Sequence, residues 1–119
     1  NEDLNRLTLV VKGAGAARYR VTWGSVSKSY SGEQLARGVN LAADFAVNPF
    51  TEAFQRVDAA VAKKQAYETR QIKTLFHGEE GHADMAATVA LTEKVRQPLA
   101  DAIAKAFVPV EHQLIIAAE

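Results

Sequence analysis

Apolar residues occupy every second position in the early part of the chain, which is the pattern of half-buried β-strands. The alternation covers residues 7–12 and 17–23, and a third run follows at 26–30. Glycines separate the runs and can adopt the positive φ angles of tight turns. The pattern therefore predicts a three-strand antiparallel meander within residues 7–30, with one face exposed to water.

The chain then changes to the three- and four-residue spacing of amphipathic helices. A short helix is predicted over 31–38, because Ser31 can cap its start and a glycine follows its end. Long helices are predicted over 48–77, where an Asn-Pro pair begins the helix, and over 84–107. Since the segment between them is short, these two helices should form an antiparallel hairpin.

Strand character returns at residues 110–117, and we expect this segment to join the meander. The elements together predict an α+β fold in which a small antiparallel sheet packs against the long helical hairpin. A length of 119 residues fits a single domain covering residues 1–119. The long helices exceed the strands in length, so part of the hairpin should project and offer a docking surface.

Composition and charge narrow the classes of partner. Fourteen basic residues balance 14 acidic ones, so we expect neither nucleic acid nor a membrane as a partner. The absence of cysteine excludes a disulfide scaffold and a thiol nucleophile but leaves the compartment open. Because the sequence begins at Asn1 rather than Met, we interpret it as a piece of a longer protein.

One local basic patch is predicted on the sheet, formed by Lys12, Arg18, Arg20 and Lys28. In the predicted register these four side chains share the outward face. Such a patch could bind an anionic polysaccharide. The simpler interpretation, which we favour, is a solvated charged face that discourages pairing at the sheet edge.

An apolar stretch links the short helix to the first long helix. It contains Val39, Leu41, Phe45 and Val47. If these side chains are exposed in the isolated chain, they are candidates for an interface with a missing domain.

The densest group of polar side chains runs from His77 to His82 and includes Glu79 and Glu80. Imidazole and carboxylate groups are common metal ligands. The run lacks the HExxH spacing and any cysteine, and its two glycines are typical of a flexible connector. We therefore predict a solvated turn here, with no metal ion and no cofactor.

His112 falls in register with Val110 and Leu114 in the last predicted strand, so its side chain should point inward. A hydrogen-bonded inner histidine is commoner than a catalytic base, and no acidic residue is spaced as its partner. The serines between residues 25 and 31 stand outside any Gly-x-Ser-x-Gly or Gly-Asp-Ser motif. No residue of this chain is therefore predicted to be catalytic.

Three segments carry the motifs of a known family. Residues 4–13 read L-N-R-x-x-L-x-V-x-G, residues 19–21 read Y-x-V, and residues 33–42 read E-[EQ]-L-A-x-G-[VI]-N-L-A. In this order, with a long helix following, they resemble the segment that closes a group of bacterial SGNH/GDSL-type hydrolases. The resemblance extends from Leu4 to Phe76, after which only helical character and a final strand are shared.

The resemblance carries no catalytic residue into this chain. The family's Gly-Asp-Ser nucleophile motif, its oxyanion-hole glycine and asparagine, and its Asp-x-x-His motif cannot be placed here. The nearest approach, from Glu79 to His82, has glutamate in place of aspartate. It also follows the long helix, whereas the family's motif precedes the strand pair.

The resemblance therefore implies a non-catalytic C-terminal accessory domain that supports or gates the hydrolase domain of the same parent chain. It further implies that the parent hydrolyses esters, with carbohydrate as a candidate partner, and it favours a secreted or periplasmic parent. The alternatives are a free-standing module that binds a glycan or a protein partner, and an enzyme with a histidine-centred site.

Overall fold

The computed structural model describes residues 4–119, which cluster into two compact units. The sheet unit comprises residues 4–51 and 110–119, and the helical unit comprises Glu52–Pro109. Strands and helices are both present, so the predicted α+β class is confirmed. No helix in the described part of the chain is long and apolar enough to span a membrane.

The strands are short and the helices include two long ones. Along the chain, the strands are β1 (Thr8–Leu9), β2 (Arg18–Trp23), β3 (Val26–Ser31), β4 (Val39–Asn40) and β5 (Leu114–Ala118). The helices are α1 (Gly32–Arg37), α2 (Leu41–Asp44), α3 (Thr51–Arg70), α4 (Glu79–Ala83) and α5 (Met85–Ala106). A π-helical segment, Gln71–Phe76, follows α3 directly.

The predicted meander is correct for its last two strands. β2 and β3 form an antiparallel hairpin closed at Gly24, which has a φ of 62°. β5 pairs antiparallel with the other side of β2, so the final strand joins the sheet as predicted. The sheet order is β3-β2-β5, and β5 begins at Leu114 because the preceding residues 107–113 form a loop.

The first predicted strand, residues 7–12, lies outside this sheet. Only its two-residue segment β1 is a strand, and it pairs with β4 in a separate two-stranded sheet. Asn40 stabilises the pairing of β1 with β4, since its Oδ1 accepts a hydrogen bond from the Leu7 N–H at 3.0 Å. The alternation in this segment packs Leu9 and Val11 against the core without adding a strand to the meander.

The core of the sheet unit lies on the inner face of β2. Its buried hydrophobic side chains are Val21, Trp23, Tyr30, Leu35, Leu41 and Phe45. The Trp23 ring contacts Phe45 and Phe50 edge-on, with 5.8 Å between ring centroids in each pair. Edge-to-face pairs add about 0.5–1.5 kcal/mol beyond the area they bury, so this aromatic cluster stabilises the unit strongly for its size.

The short helix predicted over 31–38 is confirmed. Ser31 Oγ accepts from the Gln34 N–H at 3.0 Å, while Gln34 Oε1 accepts from the Ser31 N–H at 2.8 Å. This reciprocal capping box satisfies two N–H groups that would otherwise lack partners. Gly38 follows the helix at a φ of 103°, a conformation that favours glycine.

The two long helices are also present, with shifted starts and ends. α3 begins at Thr51, because Asn48 forms a turn in which its Oδ1 accepts from the Phe50 N–H. α5 matches the predicted range within one residue at each end, and Asp84 caps it by accepting from the Ala87 N–H. The loop predicted between the helices is instead the short helix α4.

Candidate functional site

The predicted basic patch divides between two faces of the sheet. Arg18 and Arg20 lie on the outward face, and both are paired with Glu119. The shortest contact joins Arg20 Nη2 to Glu119 Oε1 at 2.7 Å. Hydrogen bonds from Ser29 and then Arg20 lower the pKa of Glu119, so its carboxylate is held ionised beside the arginines. One carboxylate thus offsets about half of the positive charge of the two arginines.

Lys28 lies on the opposite face, contrary to the predicted register. It pairs with Val21 across the hairpin, and Val21 is a core residue. The Lys28 ammonium is 5.9 Å from the ring centroid of Phe45, within the range of a cation–π contact. Lys12 lies in the loop before β2, so the four basic residues do not share one sheet face.

The predicted apolar interface is largely part of the core. Leu41 is 4% exposed and Phe45 is 1% exposed, and Val39 packs against the same core. Leu41 and Phe45 are therefore too buried to form an interface, whereas Val39 is half-buried. Val47 is 60% exposed and remains a candidate.

The histidine-rich segment is more closely packed than the predicted flexible turn. Both of its glycines approach backbone carbonyls, with room for no side chain. A Cβ at Gly78 would lie 2.1 Å from the Thr74 oxygen, and one at Gly81 would lie 2.2 Å from the Phe76 oxygen. Within residues 4–119, no group of three or more metal-binding side chains comes together.

His112 contacts the core as a hydrogen-bonded residue, although it precedes β5 and is exposed. Its Nδ1 accepts a hydrogen bond from the Trp23 indole N–H at 3.0 Å. Its ring also contacts Phe50 edge-on, with 4.9 Å between centroids. The loop before β5 is thereby fastened to the aromatic cluster.

Side-chain hydrogen bonds connect α5 to the π-helical segment that follows α3. We call this row of contacts, from Gln71 through Thr92 to Thr88, the polar seam; the sequence did not reveal it. The Gln71 side chain, in the π-helical segment, donates to Thr92 Oγ1 at 2.8 Å. Thr92 in turn donates to the Thr88 carbonyl at 2.8 Å. Gln71 contacts Thr92, and Glu68, earlier in the chain than Gln71, contacts Arg96, which is later than Thr92. Residue numbers therefore fall along one helix while they rise along the other. The two long helices therefore run antiparallel, as predicted.

A charge cluster continues this seam. The Arg96 guanidinium donates to both carboxylate oxygens of Glu93, at 2.7 and 2.9 Å, and lies 3.5 Å from Glu68. Lys64 donates to Glu68 from the preceding turn. The pKa of Glu68 is lowered first by the Lys64 hydrogen bond, and that of Glu93 by the Arg96 hydrogen bond.

An open groove of about 470 Å³ runs beside the seam. It is called the hairpin groove below and is lined by Tyr67, Arg70, Leu75, Glu80, Thr88, Leu91, Thr92 and Val95. Leu91 is 67% exposed and Val95 is 49% exposed. Among residues 52–109, the buried side chains are polar, so the apolar side chains of the hairpin lie mainly at its surface.

Known proteins add no further constraint on this site. No protein-family model, curated protein or solved structure matches this chain. The likeness to SGNH/GDSL-type hydrolases therefore rests on the motifs in the sequence.

The sequence contained a weak signal for the hairpin groove. Thr88, Leu91, Thr92 and Val95 follow one another at short steps that place them on one side of a helix. That spacing predicts a common face but not its partner. Gln71 carried no signal, because a polar residue in a polar stretch of helix is ordinarily solvated.

Proposed function

We propose that this chain is a non-catalytic accessory module of an SGNH/GDSL-type ester hydrolase. In this proposal the hairpin groove is the surface that contacts the hydrolase domain of the parent chain. The observation that carries it is the exposure of Leu91 and Val95 beside a groove of about 470 Å³. Exposed apolar surface of this kind is typical of sites where another protein packs.

The motif resemblance supports the choice of partner. It covers the strand and short-helix segments between Leu4 and Phe76, and in that family such a segment follows the catalytic part of the chain. A folded module with an apolar groove is suited to stabilise a neighbouring domain or to shape access to its cleft. The proposed role is therefore structural or gating, with the ester chemistry left to the parent.

The basic sheet face gives less support to the alternative of an anionic-glycan module. Arg18 and Arg20 already pair with Glu119, and Lys28 lies on the other face. An anionic ligand would have to displace the Glu119 carboxylate to reach both guanidinium groups. Since exposed ion pairs are individually weak, the argument against the basic face is mainly that its charges do not converge on one surface, and this favours the groove as the primary contact surface.

The test supplies the hydrolase domain of the parent separately and measures binding by calorimetry and thermal unfolding. A ligand that binds only the folded state raises the melting temperature of the protein that binds it. Adding the hydrolase domain should therefore raise the melting temperature of the helical unit, either alone or together with that of the sheet unit. Leu91→Lys should weaken binding by about 10- to 100-fold, because it removes about 1.5–3 kcal/mol of apolar burial. Ala90→Lys, which adds the same charge outside the groove, is the matched control.

Two results would count against this function. In the first, the hydrolase domain gives no heat of binding and no change in melting temperature. In the second, the isolated chain turns over p-nitrophenyl acetate and a single point substitution abolishes that turnover, which would make the chain an enzyme.

A further inference from the structure

A second concave surface, separate from the hairpin groove, lies on the sheet unit. It is an open cleft of about 750 Å³, within the usual size range of small-molecule sites. The cleft is lined by Thr22, Gly24, Pro49, Glu111, His112, Gln113 and Ile115. Three consecutive polar residues of the loop before β5 thus face the same space.

The His112 ring is held in one tautomer. An indole N–H can only donate, so the His112 Nδ1 that it contacts at 3.0 Å must be unprotonated. In the neutral ring the proton then resides on Nε2, which becomes a donor. Contacts with the Trp23 and Phe50 rings also fix the ring's orientation. His112, a lining residue of the cleft, therefore carries an N–H donor on a ring of fixed orientation.

The neighbouring side chains supply complementary groups. Glu111 contributes carboxylate acceptors, and Gln113 contributes both a carbonyl acceptor and an amide donor. Among residues 4–119, no side-chain or backbone group forms a hydrogen bond with the Glu111 or Gln113 side chain. Pro49 and Ile115 add apolar surface between these polar groups.

In one wall of the cleft, the backbone at Gly24 lies close to the Pro49 ring. A Cβ on Gly24 would lie 3.0 Å from Pro49 Cγ, and Gly24 has a φ of 62°. The turn between β2 and β3 therefore rests directly against Pro49. This contact holds the cleft's rim in place without a side chain filling it.

We propose that this cleft binds a neutral carbohydrate. An anionic ligand would meet the Glu111 carboxylate, and an apolar ligand would leave His112, Glu111 and Gln113 without partners at a cost of about 1–3 kcal/mol for each buried group. A pyranose offers hydroxyl groups that both donate and accept, together with C–H faces that pack on Pro49 and Ile115. A neutral sugar can therefore pair with the carboxylate, the imidazole and the amide of the cleft while covering its apolar surface.

The test is a titration of the full ¹⁵N-labelled chain at pH 7.5 with glucose, maltose, cellobiose, xylobiose and diacetylchitobiose. Trp23 is the single tryptophan, so its indole N–H gives one isolated NMR signal beside the cleft. At least one sugar should shift this signal and the amide signals of residues 111–113 in a saturable manner. An affinity near 1 mM, or about −4 kcal/mol, is expected for so open a site.

Variants separate a specific site from weak surface contact. Glu111→Ala and Gln113→Ala should each weaken binding at least about fivefold, whereas Glu33→Ala on α1 should leave it unchanged. His112→Asn keeps an acceptor for the Trp23 indole but removes the Nε2 donor. It should therefore lose binding while the indole signal of the free protein keeps its hydrogen-bonded position.

The proposal is overturned if no neutral sugar gives a saturable shift up to about 50 mM, where a site of about 1 mM would be saturated. It is also overturned if the three cleft variants bind as well as the unaltered chain, or if glucuronic acid binds more tightly than glucose. Because the titration uses the isolated chain, a failure of the docking experiment with the hydrolase domain would leave this result unaffected.

Discussion

The phenol oxygen of Tyr30, a polar atom inside an apolar core, makes the stability of the sheet unit depend on pH. Its side chain is 7% exposed, and its Oη donates to Asp44 Oδ2 at 2.8 Å. Burial first, and then the hydrogen bond to Asp44, raise the pKa of this phenol. Ionisation would place a phenolate in the core beside a carboxylate, so the folded state favours the neutral form.

We expect the sheet unit to lose stability in alkali. A raised folded-state pKa means that the contribution of Tyr30 is complete below the ordinary tyrosine pKa of about 10 and declines as the pH rises above it. Urea unfolding followed by Trp23 fluorescence between pH 8 and 11.5 measures this decline. Tyr30→Phe should cost roughly 1–3 kcal/mol at pH 8 and flatten the alkaline decline. Equal declines in both proteins would assign the effect to other groups.

Gly81 allows a second prediction at the scale of one residue. A Cβ added at this position in α4 would lie 2.2 Å from the Phe76 oxygen and 2.7 Å from the Leu75 oxygen. Gly81→Ala should therefore destabilise the helical unit by about 1–3 kcal/mol, the usual cost of overpacking. Far-UV circular dichroism during urea unfolding gives the value. Gly15→Ala, where a Cβ meets nothing within 4 Å, should change stability by less than about 0.5 kcal/mol.

Among the elements, those with local signals were predicted accurately. The cap at Ser31 is within three residues of the group it satisfies, and the apolar residues of α5 recur at three- and four-residue steps, so both helices could be located from sequence. The place of β1 depends instead on Asn40, which is 33 residues from Leu7. No local pattern contains that information.

The candidate surfaces were harder to predict for related reasons. The two-residue turn after Trp23 pairs Trp23 with Val26 and hence Val21 with Lys28, so Lys28 must share the face of Val21. The pairing register of the hairpin, rather than the type of its residues, therefore places Lys28 on a different face from Arg18 and Arg20. The linker residues Leu41 and Phe45 were interface candidates only if exposed, and the sequence could not show that α2 turns them into the core.

The polar seam of the hairpin gives a prediction at the scale of elements. Gln71→Met leaves Thr92 Oγ1 without its donor, and Thr92→Val leaves the Gln71 amide with only its longer hydrogen bond to Glu93 Oε1, at 3.3 Å. Each substitution should therefore cost about 1–3 kcal/mol. The double substitution removes both partners together and should cost less than the sum of the two. Urea unfolding of the four proteins forms the double-mutant cycle. Strict additivity would mean that the two side chains do not interact.

For the whole molecule, the arrangement of the sheet unit predicts the effect of losing β5. This strand pairs with β2 from Tyr19 to Trp23, and the loop before it supplies His112 to the Trp23 indole. A chain that ends at Pro109 should show red-shifted Trp23 fluorescence, because the indole loses cover on one side. It should retain most of its helical circular dichroism, since α3 and α5 lie within the helical unit.

A control chain that keeps all residues but carries Ile115→Thr, on the exposed face of β5, should behave as the unaltered protein in both measurements. If the truncated chain keeps its native Trp23 emission, β5 does not cover the aromatic cluster in solution. If its helical signal is lost as well, the two units unfold as one cooperative body.

The pairing of β2 with β5 also has a consequence for synthesis on the ribosome. Trp23 and Leu114 are register partners, so β2 leaves the ribosome about 90 residues before the strand that will cover its open edge. At about 5–20 residues per second, that edge waits roughly 5–18 seconds for its partner. An unpaired strand edge is a template for association with other nascent chains. During this interval a chaperone that covers the β2 edge would prevent such association.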